Sequence, residues 1–326
     1  MAWTDLRSFL AALESRGDLL RLTDEVDWEY EAVALTRLTS DIEGPALLFE
    51  RIRDSEIGCL SGLFAAKRRV AWALGVDEDR LFETYAERER NRIKPVLLDG
   101  PAPAQEVVLT GDQINLHALP ILRHYERDAG RYVTAGLQMA HDPATGTRNV
   151  SIHRMLLLDE KHLTVFAPPG RHLRTIIERN HEAGRPAEIA TVIGAEPAVQ
   201  VGSQARAPYG VDELEIAGAL RCEPVEVTRG HSIEVEVPAT AEMIIEGRTI
   251  PGELVSDGPF GEYPGTYSEA KPAPVLEVTA ITMRRGGMYQ NTLTGMPMTE
   301  NHWMMQPGAT ALAYEEARKI TPEVRA

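Results

Sequence analysis

Residues 132–158, YVTAGLQMAHDPATGTRNVSIHRMLLL, decide the fold, because they read as strand, turn, strand. The runs 132–140 and 149–158 are apolar and β-branched, and the Asp-Pro-Ala-Thr-Gly at 142–146 has the composition of a turn. A third strand fits Lys161 to Ala167, beyond the Asp159-Glu160 turn. Further along, residues 189–194, 223–229, 232–237 and 274–283 are rich in Val, Ile and Thr and fit additional strands. One helix, Leu173 to Ala183 and closed by Gly184, interrupts them. The expectation is an antiparallel barrel or sandwich with inserted helices.

Upstream the pattern changes. Leu6, Phe9, Leu10 and Leu13 recur at helical spacing, with Thr4 as the expected N-cap and Gly17 beyond the end. Short apolar runs at 45–50, 57–64 and 95–98 alternate with helical stretches from Val33 to Leu38 and Arg69 to Leu74. The first hundred residues therefore read as a small α/β unit. Around Pro95 to Gln105 three prolines and a glycine break regular structure, which places a boundary there. The expected division is an α/β domain at 1–104, a β-barrel-like domain at 105–297, and a further C-terminal region beginning at 298–326.

Composition narrows the function. Of 326 residues, 43% are hydrophobic and 25% charged, which suits a globular chain with substantial cores. A net charge of -15 argues against a general nucleic-acid surface. No apolar run approaches membrane-spanning length, and the N-terminus lacks a signal-peptide pattern. Cys59 and Cys222, far apart and outside any CxxC spacing, fit a reducing, cytoplasmic setting. No GxGxxG loop marks a dinucleotide-binding domain.

Four stretches carry chemistry. In Asn149-Val-Ser-Ile-His-Arg154 an arginine shares a strand with Val150, Ile152, Leu156 and Leu158; alone it reads as an edge arginine reaching water, and any other role needs a carboxylate partner. In Pro168-Pro-Gly-Arg-His172 the histidine stands at a helix start, where the dipole favours the neutral, metal-binding imidazole; alone it reads as a cap or surface residue. The loop from Gly202 to Gly218 holds Asp212, Glu213 and Glu215, acids that a helix N-terminus near Val211 explains without any function. In Asp257-Gly-Pro-Phe-Gly-Glu262 two carboxylates enclose a loop, an arrangement that lets unequal surroundings separate their pKa values; alone it reads as a surface turn.

Together these stretches carry a resemblance. Asn-x-Ser-Ile-x-Arg, Pro-x-x-x-His, Glu-x-x-x-x-Gly-Ala and (Glu/Asp)-Gly-Pro-(Phe/Tyr)-Gly-(Glu/Asp), in this order and spacing, resemble the UbiD family of decarboxylases. Asp5-Leu-Arg-Ser-Phe-Leu, Gly44-Pro-Ala-Leu-Leu-Phe49 and Val237 to Gly247 extend the likeness over nearly the whole chain. The resemblance implies an α/β (α+β) protein whose second domain is a flavin-binding, split-β-barrel-like unit. It implies prenylated FMN as cofactor, with Mn²⁺ or Mg²⁺ held by Asn149, His172 and Glu213 against the flavin phosphate, and K⁺ near Ser203. Residues Asn149, Val150, Ser151, Ile152, His153 and Arg154, with Arg171, His172 and Glu213, would line the cofactor. Arg154, Asp257 and Glu262 would form the catalytic network, with Glu262 as proton donor and Asp257 orienting Arg154.

The implied reaction is reversible, non-oxidative decarboxylation of an α,β-unsaturated or (hetero)aromatic acid, with the acid and CO₂ as small-molecule partners and a prenylated-flavin synthase as cofactor supplier. Asp257 stands where many relatives carry glutamate, and Val150 replaces an aromatic residue of some members. Family members continue through a C-terminal domain, so the expectation is that this chain lacks it and forms a homo-oligomer or takes a partner subunit. Met296, Met298, Trp303, Met304 and Met305 are then expected to leave an apolar surface to be covered. The alternative is a non-catalytic or partial flavin-binding subunit; a flavin-independent metal hydrolase would need an open metal position.

Two geometric expectations follow. Asn149, His172 and Glu213 must converge despite their separation. Asn149 and Arg154 are an odd number of positions apart, so a regular strand would send them to opposite faces. Either Asn149 lies outside the strand or a bulge intervenes before Arg154.

Overall fold

A computed structural model describes residues 3–324. The chain opens on the helix Leu6–Ser15, whose Leu6, Phe9, Leu10 and Leu13 are buried as the spacing predicts. Its cap is Asp5 and not Thr4. The Asp5 carboxylate accepts from Ser8 N at 2.8 Å while Asp5 N donates to Ser8 Oγ at 3.2 Å, closing a reciprocal box that Thr4 is one residue too early to form.

The strands Leu19–Val26 and Ala46–Ile52 pair in parallel, joined through the helix Glu31–Asp41. Cys59–Ser61 adds antiparallel to the second of them. Tyr289–Gln290 then pairs in parallel with Cys59–Leu60, so the N-terminal sheet is completed by chain from far downstream. Val96–Leu97 likewise pairs with Glu226–Val227. The buried cluster that holds Leu47 and Phe49 also contains Leu163, Ile245 and Ile281. This cluster thus spans both regions.

The main sheet has seven strands, antiparallel throughout. Its spine is a long hairpin, Met243–Asp257 against Lys271–Met283. The sequence pattern reveals the second arm but not the first, because Glu246, Arg248 and Pro251-Gly252 break its apolar alternation. Glu246 is nonetheless buried, its carboxylate accepting from the amides of His231 and Ser232 at 2.7 and 2.6 Å. From Met243–Asp257 the sheet runs through Glu188–Ile193 and Leu137–His141 to Arg148–Ile152; from the other arm it runs to His162–Thr164.

The fold is a mixed helix and sheet structure, as expected, but no closed barrel forms among the described residues. After Ile152 the chain leaves the ladder, and Met155–Leu156 pairs with Tyr132–Val133 instead of returning to the sheet. The bridge between Leu157 and Leu163 links that detour to the strand at the far edge, and Leu156 N donates to Thr164 Oγ1 at 2.8 Å.

Helix His172–Glu182 buries Leu173, Ile176 and Ile177 in the shared core. Helix Glu300–Ile320, not foreseen as an element, turns Met304 and Ala311 toward Tyr85 of the N-terminal region. No helix among the described residues is long and apolar enough to cross a membrane.

Candidate functional site

The strand Arg148–Ile152 positions the first group of residues. It pairs regularly with Leu137–His141, Asn149 lying opposite Ala140, so Asn149 is inside the ladder and that branch of the parity expectation fails. The break comes instead at His153 and Arg154, which stand outside any strand. His153 N donates to the Gln138 side chain at 2.7 Å, and Phe166 N donates to the Arg154 carbonyl at 3.2 Å. With the ladder interrupted, strict alternation no longer governs where Arg154 projects.

Glu213 is the first residue of the helix Glu213–Arg221, whose cap is Asp212, accepting from Leu214 N at 2.9 Å. Arg148 fixes that cap, its Nη2 lying 2.9 Å from Asp212 Oδ2. Glu213 itself points inward. Its Oε1 accepts from Asn149 Nδ2 at 3.1 Å and its Oε2 from Val150 N at 2.6 Å. Burial pushes this carboxyl up to about 7, against the pull of those donors. His172 begins its helix, packs edge-on to Tyr209 with ring centroids 5.1 Å apart, and has its pKa lowered by burial and by Arg171. Both effects favour the neutral imidazole.

The second group centres on Arg154. Its Nε and Nη2 stand 2.8 and 2.7 Å from Asp257 Oδ1, while Nη1 donates to Ser268 Oγ at 2.8 Å and to Glu262 Oε1. The guanidinium lies 4.0 Å from the Phe166 ring centroid and 5.0 Å from that of Phe260. Asp257 is fully buried and accepts from the Thr164 hydroxyl on its other oxygen. Glu262 is about a third exposed, at 31% of its side chain. Burial raises its pKa, Arg154 and Ser268 oppose that rise, and Asp257 adds to it.

The loop between the two acids is held from outside. Gly258 has φ +105°, and a Cβ there would meet Glu269 O at 3.1 Å and Ala270 Cα at 3.2 Å. Gly258 N donates to the Tyr132 hydroxyl at 3.1 Å, Gly261 N to Asp128 Oδ1 at 2.9 Å, and Ala129 N to the Pro259 carbonyl at 2.9 Å. Asp128, Tyr132, Thr164, Phe166 and Ser268 were not singled out from the sequence. None sits in a motif, and only the tertiary fold brings them to Arg154 and the loop.

All nine cofactor-lining candidates from Asn149 to Glu213 contribute to the lining of a single cavity of about 430 Å³. Ser203, Glu262, Phe260, Tyr263, Asn301 and Met305 line it too. Asp257 does not; it stands behind Arg154. Among the described residues no cluster of three or more His, Cys, Asp or Glu could hold a metal. The set formed by Asn149, His172 and Glu213 contains only two such residues.

Residues 96–297 match the family model described as the 3-octaprenyl-4-hydroxybenzoate carboxy-lyase Rift-related domain. The chain belongs to the UbiD family. Residues 10–89 match the N-terminal domain of the same family. Among solved UbiD structures, the UbiD-class enzyme HmfF from Pelotomaculum thermopropionicum, in complex with FMN, is 40% identical with a TM-score of 0.91 over 98% of this chain and 71% of its own. Vanillic acid decarboxylase of Sedimentibacter hydroxybenzoicus, in closed form, is 28% identical with a TM-score of 0.94 over 100% of this chain and 71% of its own. An uncharacterized protein of Synechocystis sp. is 30% identical over 327 aligned residues, covering 92% of this chain. The chain spans 64% of the length of that curated relative.

Proposed function

We propose that this UbiD-family chain is a carboxy-lyase acting reversibly and without net oxidation on an α,β-unsaturated or (hetero)aromatic carboxylic acid. The observation that carries the reading is Arg154, fixed between Asp257 and Glu262 at the edge of the cavity that Asn149, His172 and Glu213 also face. Arg154 would receive the substrate carboxylate, and Asp257, fully buried, would keep the guanidinium aimed. Glu262, with its raised pKa, would deliver a proton to the carbon from which CO₂ leaves. Activity should accordingly fall as pH rises through the pKa of Glu262, because the acid form is the working form.

The donor set fits a flavin phosphate. Arg171, Arg206 and His172 are among the residues that line the cavity, as are the apolar Ile152, Phe260 and Met305. Two oxygens and one imidazole from Asn149, Glu213 and His172 suit Mn²⁺, or Mg²⁺, beside that phosphate. Bound there, prenylated FMN would supply the electron sink that lets the carboxylate leave. Related proteins support this: HmfF is described in complex with FMN, and an evolved dimeric form of it with prenylated FMN. K⁺ at Ser203 rests on family resemblance; Ser203 Oγ itself donates to Gln200 O at 2.7 Å. The proposal retains the division at 104 and 297, a cytoplasmic location, and a prenylated-flavin synthase as supplier.

The test is CO₂ release and deuterium exchange over a panel of aromatic, heteroaromatic and acrylic acids, with protein produced alongside the synthase. Turnover of at least one acid is expected. Holo-protein that carries the flavin yet neither releases CO₂ nor exchanges with any acid would sink the reading. A second reading, a flavin-binding subunit that turns over only with a partner chain or a second copy, is favoured by Met296 and Met298, which stay 60% and 40% exposed. Activity that appears only on adding such a chain would select it.

A further inference from the structure

We propose that Ser268 is a positioning residue of the acid network, its hydroxyl holding Arg154 in place while Glu262 changes protonation. The proposal rests on the decarboxylase reading for its effect on turnover, but its geometry stands independently.

Ser268 lies in the short strand Tyr267–Ser268, paired antiparallel with Phe260–Gly261 so that Ser268 is opposite Phe260. This hairpin carries the hydroxyl back to the acid loop. Its Oγ accepts from Arg154 Nη1 at 2.8 Å, the nitrogen that also donates to Glu262. A guanidinium Nη carries two hydrogens, and here each has its own acceptor. The two acceptors differ in one respect: Glu262 weakens as a partner when it is protonated, whereas Ser268 keeps its polarity at every pH. Asp257 holds the opposite side of the guanidinium. Arg154 therefore has two constant anchors and one that varies through the proposed cycle.

The serine proton has a further use. Its distance to Phe260 O is long, 3.4 Å, so that bond is weak, and the hydroxyl can turn to the Glu262 carboxylate instead. Donation there favours the charged form of Glu262. The other groups facing Glu262 are Arg154, which also favours the charge, and Asp257, which opposes it; Tyr132 stands across the guanidinium, 5.8 Å from its centre. Removing the hydroxyl should raise the pKa of Glu262 and loosen Arg154 together.

The experiment has two arms. In the apoprotein, the carboxyl infrared band that disappears in Glu262→Gln is titrated in wild type, Ser268→Ala, Ser268→Thr and the near-isosteric Ser268→Cys. The Ala and Cys variants should shift its midpoint upward by about half a unit to one unit, and Thr should restore it. In the holoenzyme the high-pH limb of kcat/KM should move the same way. KM for the acid should rise roughly three- to tenfold, with kcat on the low-pH plateau within about twofold. Midpoints unmoved in both Ala and Cys would overturn the proposal, as would an equal shift in the Thr variant. A holoenzyme without turnover would count against the decarboxylase reading alone, since the apoprotein titration still decides the role of Ser268.

Discussion

At the scale of the residue, the site is governed by the cost of holding a cation inside the protein. Arg154 is buried, and its charge is matched by Asp257, itself fully buried, and by the partly exposed Glu262. Removing one partner of a buried pair leaves the other uncompensated. Asp257→Ala should therefore lower stability by about 3–5 kcal/mol, read as a loss of urea midpoint. Glu262→Gln should behave in the opposite sense for function and fold. Its side chain reaches solvent, so stability should change by about 1 kcal/mol or less, while deuterium exchange should drop by roughly 10²–10⁴. An exchange rate left intact in folded Glu262→Gln would remove Glu262 from its proposed role. Asp257 meets Arg154 Nη2 at 2.7 Å.

At the scale of the element, what matters is how irregular backbone is held in register with regular strands. The loop 257–262 leaves the hairpin arm and is gripped by the segment 125–132. Asp128, buried, accepts from Gly261 N at 2.9 Å and from Tyr125 N at 3.0 Å. Asp128→Ala would leave both amides without an acceptor, at about 1–3 kcal/mol each. The expected outcome is a destabilised protein whose kcat falls further than its stability alone explains, since Glu262 follows Gly261 directly. Asp128→Asn, which retains one oxygen, should recover part of both. Full activity in the Ala variant would show that the remaining contacts suffice to position the loop, among them Tyr132, Ala129 and Thr294, the last donating to Gly261 O at 2.8 Å.

At the scale of the whole molecule, single buried carboxylates tie distant segments together. Glu300 receives the amides of Gly62, Phe64 and Leu293 at 3.1, 3.1 and 2.7 Å, so it joins the N-terminal region to the start of the last helix. Burial raises its pKa to about 7 from an ordinary value of 4.5. The folded protein thus binds this proton more tightly than the unfolded chain. The resulting stabilisation is complete below pH 4.5 and is lost as pH rises to about 7. Glu300→Gln mimics the neutral form, so the difference in urea midpoint, wild type minus variant, should decline between those limits and then level off. A difference independent of pH would show that folding does not raise the pKa of Glu300. The apolar surface follows the same scale. Met304 is buried within this chain, whereas Met296 and Met298 are exposed, so mild peroxide should oxidise those two well before Met304, as peptide mass analysis would show.

The sequence by itself determined the local elements and marked the candidate chemistry-bearing residues. Helix 6–15 was legible because one face repeats every three to four residues, and the strands near 132–158 because β-branched runs flank a turn of Asp, Pro and Gly. Arg154, Asp257, Glu262, Asn149, His172 and Glu213 stand out as candidates because ordered motifs mark them, although each alone had a duller explanation. What the tertiary structure decided is where these groups meet. The strand 243–257 escaped the pattern because its buried Glu246 is satisfied by amides from residues 231 and 232, contacts that periodicity cannot encode. Ser268, Thr164 and Asp128 escaped because their roles are hydrogen bonds across 93 to 133 positions of chain. Local propensity reports the cost of bending the nearby backbone; whether a buried charge finds its partner depends on the packing of the whole molecule.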